Sequence, residues 1–181
     1  RVARICGIDA GEVVELGRRD RVSPEDVDLQ EYLQRLLDER SLQENHNPAH
    51  ILNEIPKGSL IRFDRGHLHR VISNLIDNAL RYASPSPGAV RVSVEHNLSQ
   101  NRLSLHIVDD GKGIDENERD RVFEPFFTTR AAGTGLGLYI ARELCEANGA
   151  RLFLLDNAPG AHFCISFAPF APHARKEPEG T

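Results

Sequence analysis

Between Asp64 and Tyr82, the residues Leu68, Val71, Ile72, Leu75, Ile76 and Ala79 recur at i, i+3 and i+4 with little interruption. That spacing is the 3.6-residue period of a helix carrying one continuous apolar stripe, and Asp64 supplies an N-cap. A stripe of this length must be buried against another layer, so it constrains the architecture more than any other segment. The helix is expected to stop near Ser84-Pro85-Ser86-Pro87-Gly88.

The partners for that stripe are read from period-two patterns. Val90, Val92 and Val94 alternate with polar residues, as do Leu103, Leu105 and Ile107, giving two strands joined by a turn near Asn97 to Asn101. Upstream, two short strands around His50 to Ile55 and Leu60 to Phe63 flank Pro56-Lys57-Gly58, which predicts a hairpin. A helix with Leu29, Leu33, Leu36 and Leu37 on one face follows the cap signal Ser23-Pro24 and ends near Arg40. Downstream come a short acidic helix near Glu116 to Val122, an irregular glycine-rich stretch, and a helix from about Gly137 to Asn148 closed by Gly149. Strands at Arg151 to Leu155 and Phe163 to Phe167 flank a turn at Asn157 to Gly160. Residues 1–22 show near-helical spacing broken by Gly7, Gly11 and Gly17, and the tail after Pro169 is expected to be disordered. The expectation is an α/β fold, one mixed sheet with helices on one face.

Composition narrows the function classes. Hydrophobic residues make up 40% and charged residues 27%, ordinary for a globular chain. A net charge of -5 gives no basic field, so nucleic acid is not an expected partner, and neither is a membrane surface. No apolar run is long enough to span a bilayer. Cys6, Cys145 and Cys164 form no CxxC pair and are expected to be free thiols in a reducing, cytoplasmic setting. A chain that begins at Arg1 and contains no Met reads as a piece of something longer.

Three elements carry chemistry. On the central helix Asn74 and Asn78 share a face with Arg81 and Tyr82. Amide oxygens can hold Mg2+ directly or through its waters, a guanidinium can pair with phosphate, and a ring can cover a base. Taken alone, these residues also describe a solvated helix face. The second element, Val108-Asp109-Asp110-Gly111-Lys112-Gly113-Ile114, follows a strand directly. There a carboxylate can accept from an exocyclic amine while glycines let backbone approach a flat ligand, although a DxGxG run is as often a tight turn. The third, Gly133-Thr134-Gly135-Leu136-Gly137-Leu138, opens a helix, where free backbone N–H groups and the helix dipole favour anions. Its GxGxG spacing and the lack of a strand leading into it exclude a Rossmann fingerprint, and the missing Gly-Lys-Ser/Thr ending excludes a P-loop.

In combination these motifs resemble the catalytic domain of bacterial sensor histidine kinases. Asn74-Leu75-Ile76-Asp77-Asn78-Ala79 looks like the N box, Asp109 to Gly113 like the first glycine box, Phe123-Glu124-Pro125-Phe126-Phe127-Thr128-Thr129 like the F box, and Gly133 to Leu138 like the second glycine box. The resemblance covers roughly Asp28 to Pro169, and the Pro-Phe-Phe-Thr-Thr stretch with a very short lid is similar to kinases of nitrogen-regulation and pilus-regulation type. It implies the two-layer sandwich shared with gyrase-type ATPases and Hsp90, with residues 1–27 as the tail of a dimerisation hairpin and linker, 28–170 as the ATP-binding domain and 171–181 as a disordered tail.

Carried over by position, the resemblance implies ATP and Mg2+ as cofactors. Asn78 would be the metal ligand with Asn74 nearby, Arg81 would reach phosphates, Tyr82 would flank the base and Asp109 would recognise the adenine amine. Gly111, Gly113 and Ile114 would shape the base pocket. Phe126, Thr129 and Arg130 would belong to the F box and lid, and Gly133, Thr134, Gly135, Leu136, Gly137 and Leu138 to the phosphate cradle. Water-splitting members of the superfamily place a Glu four residues before the metal Asn as general base. Here Asn74 stands there, and an amide cannot accept that proton, which favours transfer to a protein over hydrolysis.

The implied function is donation of the ATP γ-phosphate to a histidine, with Asn74, Asn78, Arg81 and Arg130 as the catalytic set. The implied partners are the dimerisation domain of the same two-component kinase and a response regulator receiver domain, with the parent protein anchored in the inner membrane. A gyrase-like or Hsp90-like ATPase and an anti-sigma-type regulatory module are the alternatives, and a His-Glu or His-Asp hairpin upstream of Arg1 to Glu25 would discriminate. Two departures stand out. Gly160 is followed by Ala161 and His162 where the family has a Thr, and none of the eight histidines precedes an acidic residue, as a phosphoacceptor should. His46 and His50 are expected at the surface, as are His67 and His69.

Overall fold

The computed structural model describes residues 22–42, 50–129, 133–156 and 159–170. The expectations for residues 1–21, the tail 171–181, Cys6, His46 and Arg130 lie outside the described residues.

The stripe between Leu68 and Ala79 forms one face of the longest helix, α2 (Arg65–Tyr82), which follows α1 (Leu29–Ser41) and precedes α3 (Gly137–Ala147). Strands β2 (Ile51–Asn53), β4 (Val90–Asn97), β5 (Arg102–Asp109), β6 (Arg151–Leu155) and β7 (His162–Ser166) make one sheet in the order β2-β4-β5-β7-β6. β2 runs parallel to β4 and the remaining pairs are antiparallel, so the sheet is mixed as expected. Period two decides its faces. Val90, Val92, Leu105, Ile107, Leu152, Phe163 and Ile165 are buried in one cluster with the α2 stripe and with Ala141, Leu144 and Cys145 of α3. Cys145 and Cys164 are free and buried.

A second sheet holds β1 (Pro24–Asp28) and β3 (Leu60–Asp64), antiparallel from Pro24↔Asp64 to Asp28↔Leu60. This overturns the hairpin expected across Pro56-Lys57-Gly58, because β2 and β3 enter different sheets. The turn is tied instead to the start of α1: Gly58 N donates to Asp28 Oδ2 at 2.9 Å and Leu29 N to Ser59 O at 3.0 Å. Those bonds aim β3 at β1. Asp28, not Ser23, is the α1 cap, accepting from Gln30 N and Glu31 N at 2.9 and 3.2 Å. The acidic helix expected near Glu116 to Val122 is a run of turns closed by i→i−3 bonds, Glu118 N to Asp115 O, Arg121 N to Glu118 O and Glu124 N to Arg121 O.

His67 is also a correction, being buried rather than on the helix surface. Its ring faces Asn148, the residue that closes α3. Asn148 Oδ1 accepts from Asp64 N at 2.8 Å, and Nδ2 lies 3.0 Å from His67 Nδ1 and donates to Leu144 O at 2.8 Å. One side chain thus locks the N-terminus of α2 to the C-terminus of α3. Asn148→Ala strands those groups, and a loss of about 1–3 kcal/mol is expected, seen as a lower urea midpoint with an unchanged slope.

Candidate functional site

The polar face of α2 borders a cleft of about 650 Å³ between α2, the end of β5 and the entrance to α3. Helical spacing puts Asn74, Asn78, Arg81 and Tyr82 along one wall. Asp109, Gly113 and Ile114 from the β5 end form another part, and Thr129 with Gly133, Thr134, Gly135, Gly137 and Leu138 closes it on the α3 side. Residues 74, 109 and 137 thus meet around one cavity.

Not every expected residue lines it. Gly111 and Leu136 stand behind the wall, and Phe126 is half-exposed beside it. Each has a local reason. A Cβ on Gly111 would overlap Tyr82 O, so only glycine lets the β5 loop lie against the end of α2. Leu136 is the N-cap position of α3, with its carbonyl accepting from Ile140 N at 2.9 Å. Phe126 adopts φ 65 and its N–H donates to Gly135 O at 3.0 Å, while a Cβ on Gly135 would overlap the Phe126 backbone. That crossing ties the stretch 123–129 to the glycine run.

Among the described residues Asp109 is the one buried carboxylate. Burial pushes its pKa up, opposed by N–H groups donated from Gly111 at 2.9 Å and Ala161 at 3.1 Å. Its backbone N–H in turn donates to Ala161 O at 3.1 Å. Gly160 is required beside it, since a Cβ there would overlap Asp109 Oδ1 and the Gly111 nitrogen. The neighbouring Asp110 is exposed and accepts from Ser84 N at 2.7 Å and Ser84 Oγ at 2.5 Å, which holds its carboxyl below the usual range. Through this pair the end of α2 is fastened to the β5 loop.

Sequence reasoning missed several lining residues. Ala161 and Phe163 come from the start of β7, Val122 and Phe127 from the turn region, and Asp77, Lys112, Asp115, Glu118 and Thr128 also line the cleft. Phe127 carried a signal, as part of the Phe-Phe pair, and its ring is backed by the Arg121 guanidinium at 4.5 Å. Phe123 packs edge-on against Phe163 with centroids 6.3 Å apart. A buried carboxylate, amide oxygens, two cations at Arg81 and Lys112, and a glycine-rich helix entrance suit a ligand with a polar ring at one end and anionic oxygens at the other.

The family model for histidine kinase-, DNA gyrase B-, and HSP90-like ATPases matches residues 63–172. The chain belongs to that family. Among curated proteins, the sensor protein kinase PilS of Pseudomonas aeruginosa is 38% identical over 169 residues, covering 91% of this chain and 31% of PilS. The mycobacterial sensor histidine kinase MprB is 30% identical, with a TM-score of 0.61 over 82% of this chain and 100% of that structure. Full-length ShkA, solved in complex with AMPPNP, is 25% identical with a TM-score of 0.65 over 86% of this chain and 33% of ShkA. The chain therefore spans about a third of the length of PilS. Its relatives are sensor kinases, the domain they share with it is their ATP-binding catalytic domain, and nucleotide use comes with the family. Among the described residues no helix is long and apolar enough to cross a membrane.

The buried Asp109 makes a signed expectation. With its folded pKa raised above the unfolded value, its ionised form destabilises the fold at neutral pH, and that penalty disappears as pH falls below the unfolded carboxylate range. Asn keeps an acceptor for Gly111 and Ala161 without the charge. Asp109→Asn should therefore melt higher than the parent at pH 7, with the gap closing towards pH 4 in paired thermal scans.

Proposed function

We propose that the cleft binds Mg-ATP and presents its γ-phosphate to a histidine on the dimerisation hairpin of a two-component sensor kinase. The observation that carries this reading is the meeting of α2's amide face, the Asp109 carboxylate and the glycine-rich start of α3 around one cavity. Kinship with PilS and MprB supports it.

Roles follow from chemistry. Asp109 accepts from the exocyclic amine of adenine, with Gly113 and Ile114 against the ring and Tyr82 at its edge. Arg81 and Arg130 pair with phosphate oxygens, and the N–H groups of Gly133 to Gly137 add the helix-terminus contribution. Hard oxygen donors suit Mg2+, and Asn78, with Asn74 beside it, would hold the ion while it keeps several waters. The fit is supported by Gly137, whose missing Cβ would stand 3.4 Å from Asn74 Oδ1, so this wall is clear for a small ion and its waters. When bound, the ion neutralises charge on the phosphates. The chain contributes orientation and exclusion of a general base: Asn74 cannot take a proton from water, so hydrolysis is slow and the acceptor is a protein side chain.

On this reading the catalytic domain runs from β1 at Pro24 to about residue 170, a few residues ahead of the boundary expected at 28, and the residues before β1 lead to the dimerisation hairpin of the same kinase. A response regulator receiver domain is the downstream partner, and the parent protein carries this domain on the cytoplasmic side of an inner membrane.

Labelled ATP incubated with the chain and a separately made acceptor hairpin should give acid-labile phosphate on the hairpin; label released only as free phosphate contradicts the kinase reading. Asp109→Asn should bind ATP at least tenfold more weakly and discriminate less against GTP, by about 1–3 kcal/mol for a lost buried hydrogen bond to a charge. Asn78→Ala should fold normally and lose the gain in affinity on adding Mg2+. Competition titrations with and without the metal read both, and unchanged adenine preference or an intact metal response would refute the assigned roles.

A further inference from the structure

Asp77 lies one residue before Asn78 and four before Arg81, and its side chain reaches the same wall of the cleft. Its partner comes from α1. Arg40 Nη1 donates to Asp77 Oδ1 at 2.6 Å, with the arginine side chain 14% exposed and the aspartate 44%. Arg40 Nε is buried with no hydrogen-bond partner among the described residues, so the guanidinium's placement does not maximise its own bonding.

Stability is a weak reason for an arginine in that position. Removing a guanidinium from water costs about as much as one partly buried ion pair returns, and an apolar pair of equal volume commonly does as well. The cleft offers a stronger reason. A nucleotide carries several negative charges on its phosphates, and Asp77 puts another on the wall they approach. A guanidinium beside that carboxylate cancels its field, and does so at every working pH because arginine does not lose its proton.

We propose that Arg40 is a positioning residue for nucleotide binding: it fixes the Asp77 carboxylate and neutralises it, so that the α2 wall of the cleft does not repel phosphate. This rests on the nucleotide reading above. Arg40 touches no ligand and acts only through Asp77. The two partners therefore have opposite signs. Loss of Arg40 leaves a bare carboxylate in the wall and weakens binding, whereas loss of the Asp77 charge removes the thing that needed neutralising.

The test titrates AMPPNP into the chain in EDTA at low ionic strength, for the parent, Arg40→Ala, Arg40→Lys, Asp77→Asn and the double variant Arg40→Ala/Asp77→Asn, with a melting curve for each. Arg40→Ala should weaken binding about three- to tenfold at low salt, a loss that fades as ionic strength rises. Arg40→Lys keeps the charge and should stay within about twofold of the parent. Asp77→Asn should bind as tightly as the parent or more so, and the double variant should return to the Asp77→Asn value. A purely structural pair gives a different pattern: both single variants lower the melting temperature, and Asp77→Asn weakens binding as much as Arg40→Ala, or the double variant stays as weak as Arg40→Ala. Either result overturns the proposal, as does unchanged affinity in every variant. If Arg40→Ala does not fold, Asp77→Asn still decides, since weaker binding there contradicts the assigned sign. A parent that binds no AMPPNP with or without Mg2+ sinks the nucleotide reading itself, an outcome distinct from a binding parent with indifferent variants.

Discussion

The packing of α2 on the sheet fixes everything that the cleft needs. Leu68, Val71, Ile72, Leu75, Ile76 and Ala79 are buried against β4, β5 and α3, and this leaves only one direction for the arc that flanks the stripe on the same helix. Asn74, Asn78, Arg81 and Tyr82 occupy that arc. A rotation of α2 by one residue would move an amide into the core and an aliphatic chain into the cleft, with a cost of several kcal/mol from buried unsatisfied polar groups and lost apolar burial together. Site geometry and core stability are therefore two readings of one amphipathic helix.

The second determinant is backbone proximity at the end of β5. Asp109 is buried only because Gly111 and Ala161 donate to it and because Gly160 has no side chain to collide with it. Around this carboxylate the chain is drawn tight: Asp110 holds Ser84 after α2, Gly111 lies on Tyr82 O, and Ala89 O accepts from Asp110 N at 3.0 Å. A carboxylate held by fixed N–H donors in a site with little water is suited to accept from a ligand amine, because little solvent has to be displaced from it. The missing family Thr after Gly160 is consistent with this layout, because the Ala161 backbone, and not its side chain, makes the bond to Asp109.

What was legible in the sequence was local. The stripe of α2, the alternation in β4 and β5, and the glycine run opening α3 are each encoded within a few residues, and they gave the sheet, the helices and most of the cleft wall. Long-range pairings were not legible. Ala161 meets Asp109 across 52 positions and Arg40 meets Asp77 across 37, and no short pattern announces either. The expected hairpin failed for the same reason: Pro56-Lys57-Gly58 signals a turn, but the edge that β3 joins is chosen by Asp28 and Ser59. β1 was invisible because Pro24-Glu25-Asp26-Val27-Asp28 holds one good strand former, and its pairing depends on cross-strand charges such as Arg62 with Asp26 at 3.2 Å. His67 was misplaced at the surface because helical period alone does not reveal the Asn148 that receives it.

The most direct measurement is residue-level hydrogen exchange of the chain with and without AMPPNP and Mg2+. If one nucleotide bridges the three elements, protection should rise together at residues 74–82, 109–114 and 133–138, and saturate at one ligand concentration. Protection confined to a single element, or appearing at different concentrations for each, would contradict a shared site.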